Sequence, residues 1–304
     1  MARPKHMSYR PHRAFIAPAL PTAELPRLVL GILGVEFLYG MAIGGLAQLL
    51  DLLGLDTTGF YYGDTTAGML AELLSFGLLG ALVTAAARSQ HGRGFFTLTG
   101  PPLTALRHLK TTFIAVLALL LALELMPPYW DSDSLAATRP LLPWLALLPV
   151  SLAALAIQTG AEELFYRGYI QQQLAARFKS PLVWLSVPSL LFALAHWNNG
   201  TTPTESLQYV IWAFLFGLAA ADLTARTGTL GAAIGFHLAN NVIAFTLFGE
   251  LDAPGSGLAL LLFEPAGADL LPPPAYDPVL TATLMTELAV LLLMWLAARI
   301  ALRR

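Results

Sequence analysis

The sequence contains no cysteine and few charged residues. Without thiols, the chain can form neither a disulfide, a cysteine nucleophile nor a sulfur-ligated metal site. Charged residues make up 12% of the chain, against about 25% in an ordinary soluble domain. Apolar residues make up 56% of it, and the mean hydropathy is +0.65. This composition predicts a protein solvated by lipid, and no basic patch indicates a nucleic-acid partner.

Long apolar runs recur along the chain, and each predicts a transmembrane helix. A helix needs roughly 20 mainly apolar residues to cross about 30 Å of hydrocarbon. Backbone groups in lipid must be hydrogen-bonded within the segment, so an all-α fold is predicted. Residues 1–27 are predicted to be a cytoplasmic tail and residues 28–304 a single transmembrane domain. The eight predicted spans cover residues 28–53, 66–87, 111–127, 142–163, 182–197, 205–225, 230–248 and 279–300.

Basic and acidic residues alternate between successive connections of these predicted spans. The tail, the even-numbered connections and the C-terminus are basic, whereas the odd-numbered connections are acidic and contain Arg139 as their one basic residue. By the positive-inside rule, both termini are predicted to lie in the cytoplasm. The loop of residues 249–278, with three consecutive prolines at Pro272–Pro274, is predicted to be external and irregular. Pro203 is predicted to begin a helix and Pro188 to kink one.

Three acidic residues lie deep within predicted spans: Glu36, Glu72 and Glu287. Ionisable side chains at such depth suggest function, and these could serve a proton-coupled transporter. The favoured interpretation, however, is that they form packing hydrogen bonds or are protonated. Many transporters contain internal inverted repeats, and none is visible in this sequence. The transporter is therefore the least favoured of the functions considered.

Three polar motifs on the fourth, fifth and seventh predicted spans stand apart from these single acids. Their residues are Glu162, Glu163, Arg167, Phe192, His196, His237 and Asn241. Glu163 and Arg167 are four positions apart with the acid first, which favours an ion pair on one helix face. Glu162 points about 100° away from Glu163. Its carboxyl group is therefore free to face a cavity.

The second and third motifs contain the only two histidines within predicted spans. His237 and Asn241 share a helix face, whereas Asn240 lies off that face and is predicted to be a packing residue. Phe192, one turn before His196, is predicted to form a wall of the site. A single motif of this kind would be read as structural, but three motifs on separate spans favour a functional site.

Glutamate, two histidines and asparagine form a sufficient set for hydrolysis of an amide. Glu162 can act as a general base toward water, and His196 can hold or share the proton. His237 and Asn241 can donate hydrogen bonds to the oxyanion. Neither a cysteine nor a G-x-S-x-G turn is present, which argues against a Ser or Cys acyl-enzyme.

A zinc site is the competing interpretation of the same residues. Two histidines and one glutamate match the ligand types of a catalytic zinc site, with Glu162, His196 and His237 as the ligands. The H-E-x-x-H helix of many zinc proteases is missing. Spacing alone leaves the metal-free and the zinc chemistry open.

The ordered motifs resemble those of the CPBP family of intramembrane proteases. This family comprises type II CAAX prenyl endopeptidases and bacteriocin-processing or self-immunity proteins (the Abi family). E-E-x-x-x-R matches Glu162–Arg167, F-x-x-x-H matches Phe192–His196, and H-x-x-x-N matches His237–Asn241. The resemblance covers about residues 142–248.

The resemblance implies an eight-helix bundle with a cavity around its fourth to seventh helices. It also implies that Glu162, helped by His196, activates water and that His237 and Asn241 form the oxyanion site. It favours a site without a cofactor over the Zn²⁺ alternative.

The sequence thus predicts an endopeptidase in the bacterial cytoplasmic membrane, with a membrane-associated protein or peptide as substrate. A non-catalytic scaffold or immunity protein of the same fold is the main alternative. Prenylated CAAX substrates are not expected, because bacteria generally lack them.

Overall fold

The computed structural model describes residues 9–54, 57–126, 134–264 and 278–304. Within these ranges the chain is almost entirely helical, which confirms the predicted all-α fold. The helices are α1 (Arg10–Phe15), α2 (Leu25–Leu52), α3 (Thr58–Tyr62), α4 (Thr66–His91), α5 (Phe95–Thr99), α6 (Pro102–Glu124), α7 (Leu141–Glu163), α8 (Gln172–Arg177), α9 (Pro181–Leu194), α10 (Pro203–Thr227), α11 (Gly231–Thr246) and α12 (Ala282–Leu302). A π-helical segment, Leu164–Gln171, joins α7 to α8. The strands are β1 (Leu135–Thr138), β2 (Phe248–Glu250) and β3 (Leu261–Phe263), and 3₁₀ turns cover Ala17–Thr22, Trp197–Asn199 and Ser256–Leu258.

Six helical segments of the described chain are long and apolar enough to cross a membrane. They are α2, α4, α6, the continuous segment Leu141–Arg177, α10 and α12. The prediction of a polytopic membrane protein is therefore confirmed. Helices α9 and α11, which correspond to the fifth and seventh predicted spans, have 14 and 16 residues. At 1.5 Å per residue they are about 21 and 24 Å long. Eight helices thus lie where eight spans were predicted, but two of them are too short to cross alone.

The largest boundary error concerns the third predicted span. Helix α6 begins at Pro102 and ends at Glu124, whereas residues 111–127 were predicted. Proline is favourable at the first helical position because its missing N–H has no partner there anyway. The polar residues that end the apolar run are nonetheless helical, and one of them, His108, is buried with its Nδ1 2.9 Å from Thr229 Oγ1. Tertiary hydrogen bonds of this kind are invisible to a hydropathy pattern.

The prolines of α9 and α10 have different effects on their helices. Helix α10 begins at Pro203, as predicted. It has a capping box in which Thr202 Oγ1 accepts from the Glu205 amide at 3.2 Å and the Glu205 carboxylate accepts from the Thr202 amide. Pro188 lies inside α9, and the helix continues past it to Leu194.

The second half of the predicted tail is folded against the bundle. The Tyr9 hydroxyl donates to Asp222 Oδ1 at 2.7 Å, and the Trp295 indole donates to Asp222 Oδ2 at 3.0 Å. Asp222 lies near the end of α10, so both ends of the described chain lie at the same end of the bundle. An even number of crossings requires this arrangement. His12 is buried at the same end, with its ring centroid 4.8 Å from that of Trp184.

The loop predicted to be irregular from residue 249 is partly ordered, so that prediction is wrong for its first part. Strands β1, β3 and β2 form a small sheet in that order, with β1 antiparallel and β2 parallel to β3. Arg139 donates from Nε to the Ala259 carbonyl oxygen at 2.8 Å and from Nη2 to that of Ser256 at 3.3 Å. This structural role explains an isolated basic residue among acidic connections. Residues 272–274 lie outside the described ranges.

Helix α11, which carries the third motif, packs closely on α6. Gly231 and Gly235 face the Ala105 and Leu109 carbonyl groups so tightly that a Cβ at either glycine would collide with α6. Small residues four positions apart allow helix backbones in a membrane to approach in this way. The contact fixes the rotation of α11 and therefore the direction of its polar side chains.

Candidate active site

The first motif lies where α7 changes into the π-helical segment. Glu162 and Glu163 are the last residues of α7, and Arg167 lies within the π-helical segment that follows. Helix α8 then ends at Arg177. π-Helical turns are rare and often occur at functional sites.

Glu163 contacts both Arg167 and His237. Its Oε1 accepts from Arg167 Nη1 at 2.8 Å and lies 2.9 Å from His237 Nδ1. The side chains of Glu163 and Arg167 are fully buried, and the Arg167 guanidinium lies 4.7 Å from the centroid of the Phe192 ring. The predicted ion pair is therefore present. The contact with His237 was not predicted, because it depends on how α11 is rotated against α7.

Glu162 lies on the other side of the same imidazole. Its Oε2 is 3.6 Å from His237 Nε2, which is ion-pair distance but too long for a hydrogen bond. The side chain is 13% exposed. Its Oε2 has no hydrogen-bond partner among the described residues. The carboxyl group thus faces His237 Nε2, and its buried Oε2 keeps unused capacity to accept a hydrogen bond.

The contacts of His237 define which ring nitrogen is available for chemistry. Nδ1 faces a carboxylate oxygen of Glu163, which can only accept, so Nδ1 carries a hydrogen. Nε2 is then the nitrogen that faces Glu162. It can donate a hydrogen bond only when the ring is protonated on both nitrogens.

His196 lies just beyond the end of α9 and is half-buried. Its Nδ1 is 2.8 Å from the Phe192 carbonyl oxygen, so Nδ1 carries the hydrogen and Nε2 of the neutral ring can accept one. The Phe192 ring lies 4.5 Å from the His196 ring and 5.9 Å from the His237 ring, centroid to centroid. Both histidines therefore contact one aromatic side chain. Among the described residues, His196 has no hydrogen bond or ion pair with Glu162 or His237.

Asn241 is held by two side chains that sequence reasoning did not assign to the site. Its Nδ2 donates to Gln158 Oε1 at 2.9 Å, and its Oδ1 accepts from Asn240 Nδ2 at 3.1 Å. Asn240, predicted to be a packing residue, also donates a side-chain hydrogen bond within the cluster. Gln158 could have been found from its spacing, since it lies four residues before Glu162 on the same face of α7.

The three acidic residues of the transporter hypothesis do not share the ion-pair contacts of the motif residues. Glu36 and Glu287 are exposed at the surface of the bundle, and Glu72 is half-buried. None of the three forms an ion pair with a described residue. Tyr39 of α2 lies close enough to interact with the charges of Glu36, Glu72 and Glu162.

The arrangement does not fit the zinc alternative. No group of three His, Cys, Asp or Glu side chains in the described part of the chain is placed to hold a metal ion. A zinc ion needs its ligands about 2 Å from one point. His196 and His237 instead each contact the Phe192 ring and have no direct contact with each other among the described residues.

The comparisons with known proteins agree with the motifs. Residues 142–243 match the family model described as type II CAAX prenyl endopeptidase Rce1-like. This range contains every residue of the three motifs, so the predicted resemblance is confirmed. "Uncharacterized protein YyaK" of Bacillus subtilis (strain 168) is 28% identical over 160 residues, which are 51% of this chain and 52% of YyaK. The match thus spans about half of that relative. No solved structure matches the chain significantly.

Proposed function

We propose that the protein is an intramembrane endopeptidase that hydrolyses a peptide bond of a membrane-associated protein or peptide with glutamate-activated water. One observation carries the proposal. The imidazole of His237 lies between two adjacent glutamates, with Nδ1 2.9 Å from Glu163 and Nε2 3.6 Å from Glu162, inside the segment that matches the endopeptidase family. The bacterial cytoplasmic membrane is the proposed location.

Glu162 is the general base of the proposed mechanism. Its unpartnered Oε2 accepts a proton from water while the water oxygen forms a bond to the carbonyl carbon of the substrate. The electrons of the carbonyl double bond move to its oxygen. The proton held by Glu162, or shared with His196 Nε2, then passes to the amide nitrogen as the C–N bond breaks. No covalent intermediate with the protein is needed.

His237 and Asn241 are the proposed donors to the oxyanion. One hydrogen on Asn241 Nδ2 is used by Gln158, which leaves the second for the substrate. His237 Nε2 donates in the doubly protonated form of the ring. Donors that are fixed before the reaction stabilise developing charge without reorganisation, and this is usually the largest electrostatic contribution to catalysis.

The buried pair of Glu163 and Arg167 supports this site without touching the substrate. Arg167 compensates the charge of Glu163, and Glu163 in turn holds His237 Nδ1. A histidine oriented through its second nitrogen presents the first in a defined direction. Phe192 packs on the guanidinium and on both histidines, so it forms a wall of the site.

Comparative proteomics of membranes tests the proposal. Cells lacking their own copy would express wild type, Glu162→Gln or the control Glu287→Gln, a change at an exposed glutamate on α12. New protein termini should appear with wild type and Glu287→Gln and be absent with Glu162→Gln, at equal amounts of inserted protein. Identical termini in all three strains would refute hydrolysis and favour the non-catalytic scaffold.

A further inference from the structure

The amide of Asn241 is held at both ends by neighbouring side chains. Gln158 Oε1 accepts from its Nδ2, and Asn240 Nδ2 donates to its Oδ1. Gln158 is 7% exposed and Asn241 6% exposed, so water does not substitute freely for the contact between them. Neither Gln158 nor Asn240 belongs to the three motifs.

These two contacts select one orientation of the Asn241 amide. The terminal torsion of an asparagine is broad and roughly two-fold, so a flip that exchanges oxygen and nitrogen costs little by itself. In the flipped state Asn241 Oδ1 would face Gln158 Oε1, and its Nδ2 would face Asn240 Nδ2. Each pair would then join two acceptors or two donors. With the Gln158 and Asn240 amides oriented as they are in the structure, only the observed orientation of Asn241 satisfies both neighbours.

Gln158 also links the oxyanion site to the base. It lies one turn before Glu162 on the same helix, α7, whereas Asn241 lies on α11. The bond between Gln158 and Asn241 therefore fixes the position of a donor on one helix relative to the carboxylate on the other. Acyl transfer depends on this distance, because the attacking water and the oxyanion are attached to the same carbon.

We propose that Gln158, with Asn240, is a positioning residue that holds the Asn241 amide with its free N–H toward the reacting carbonyl. This inference rests on the proposed function for its catalytic consequence, whereas the hydrogen-bond network itself can be tested without a substrate.

The chain suits a spectroscopic test, because it contains four asparagines, Asn198, Asn199, Asn240 and Asn241. Protein labelled with ¹⁵N-asparagine in lipid nanodiscs should give four side-chain amide pairs, assigned by single substitutions. Gln158→Leu should shift the Asn241 pair and speed its hydrogen exchange, while Asn198 and Asn199 stay unchanged. Gln158→Glu, which keeps the acceptor, should preserve the exchange protection of Asn241.

Two further variants keep the test decisive if a change at the buried Gln158 disturbs folding. Asn240→Ala removes the other contact at a half-buried position and should also shift the Asn241 pair. Gln208→Leu is the matched control, because Gln208 donates to the Val279 carbonyl oxygen at 2.9 Å, away from the site. If Gln158→Leu and Asn240→Ala both leave the side-chain amide signals of Asn241 unchanged, the proposed hydrogen-bond network is refuted.

The catalytic part is tested on the protein termini produced by the wild type. Gln158→Leu should slow their formation about tenfold, the rate equivalent of one neutral hydrogen bond. Gln158→Glu should recover most of that loss. The double variant Gln158→Leu with Asn241→Ala should be no slower than Asn241→Ala alone, because Gln158 acts through Asn241.

The outcomes separate this inference from the proposed function. Additive losses in the double variant, or full activity of Gln158→Leu, would refute the positioning role while Glu162→Gln remained inactive. Full activity of Glu162→Gln would instead refute the hydrolytic function, and with it any catalytic role for Gln158.

Discussion

Glu163→Gln removes one charge from a buried group of three side chains. The amide retains the size of the carboxylate and one oxygen that can accept from His237 Nδ1 or Arg167 Nη1. Arg167, however, is fully buried, and Glu163 is its one ion-pair partner among the described residues. Removing one partner of a buried ion pair costs about 3–5 kcal/mol, and insertion scales for an arginine at the centre of a membrane helix give roughly 2.5–3.5 kcal/mol. We expect the variant to lose about 3 kcal/mol of stability.

The structure defines the control for this experiment. Arg167→Met in the Glu163→Gln background removes the unpaired charge while keeping a long side chain against Phe192. The double variant should regain part of the lost stability. It should not regain activity, because the introduced amide would hold the His237 ring less firmly than the carboxylate of Glu163 does. Unfolding in mixed detergent micelles, followed by circular dichroism, measures the first effect, and formation of new protein termini measures the second.

Two results would contradict this reasoning. If Glu163→Gln unfolds at the same denaturant concentration as wild type, the buried pair does not carry the stability assigned to it. If the double variant is less stable than Glu163→Gln alone, the unpaired arginine is not the cause of the loss.

Asn241→Ala should slow turnover about 10²–10³-fold, as loss of single oxyanion donors does, whereas the exposed control Asn199→Ala should leave the rate unchanged; an equal effect of both would exclude the donor role. Chelators should leave turnover intact, and loss with EDTA followed by recovery with zinc would overturn the metal-free mechanism. Reporter fusions after Arg93 and Arg304 should both read cytoplasmic, and a periplasmic signal at either would contradict the predicted topology. Burial lowers the pKa of His12 from 6.5 to about 4. The stability that the buried neutral ring contributes is therefore complete above pH 6.5 and is lost as the pH falls toward 4, and the total loss is about 3 kcal/mol. The free energy of unfolding should therefore fall more between pH 7.5 and pH 4.5 for wild type than for His12→Phe. An equal fall in both proteins would rule out His12 as the cause.

The features that the sequence predicts well are those set within one helix. Apolar runs locate the membrane helices because lipid selects for length and hydropathy. The four-residue spacing of Glu163 and Arg167 predicts their ion pair because helical geometry alone brings them together. The order of the motifs also predicted the family whose model matches residues 142–243.

The features that it does not predict depend on how the helices are rotated and packed against one another. The contact of Glu163 with His237 and the bond of Gln158 with Asn241 both require one face of α7 to meet one face of α11. That rotation is set partly by Gly231 and Gly235 against α6, a helix that carries none of the motifs. The small sheet and the folded N-terminal segment were missed for a similar reason, since three- and four-residue strands and a buried His12 leave no periodic signal.

The side chains of the site are not all fixed equally firmly, and this difference matches their proposed roles. Side chains at positions 158, 162 and 163 of α7 face positions 237 and 241 of α11 across one seam, with two hydrogen bonds and one longer ion-pair contact. His196, in contrast, bonds to the backbone of its own helix and meets the seam only through the Phe192 ring. Oxyanion donors must be fixed before the reaction, because their contribution comes from avoided reorganisation. A group that shares a proton needs only to come within hydrogen-bond reach during the reaction, directly or through one water. The rigid seam therefore suits His237 and Asn241, and the looser attachment suits His196.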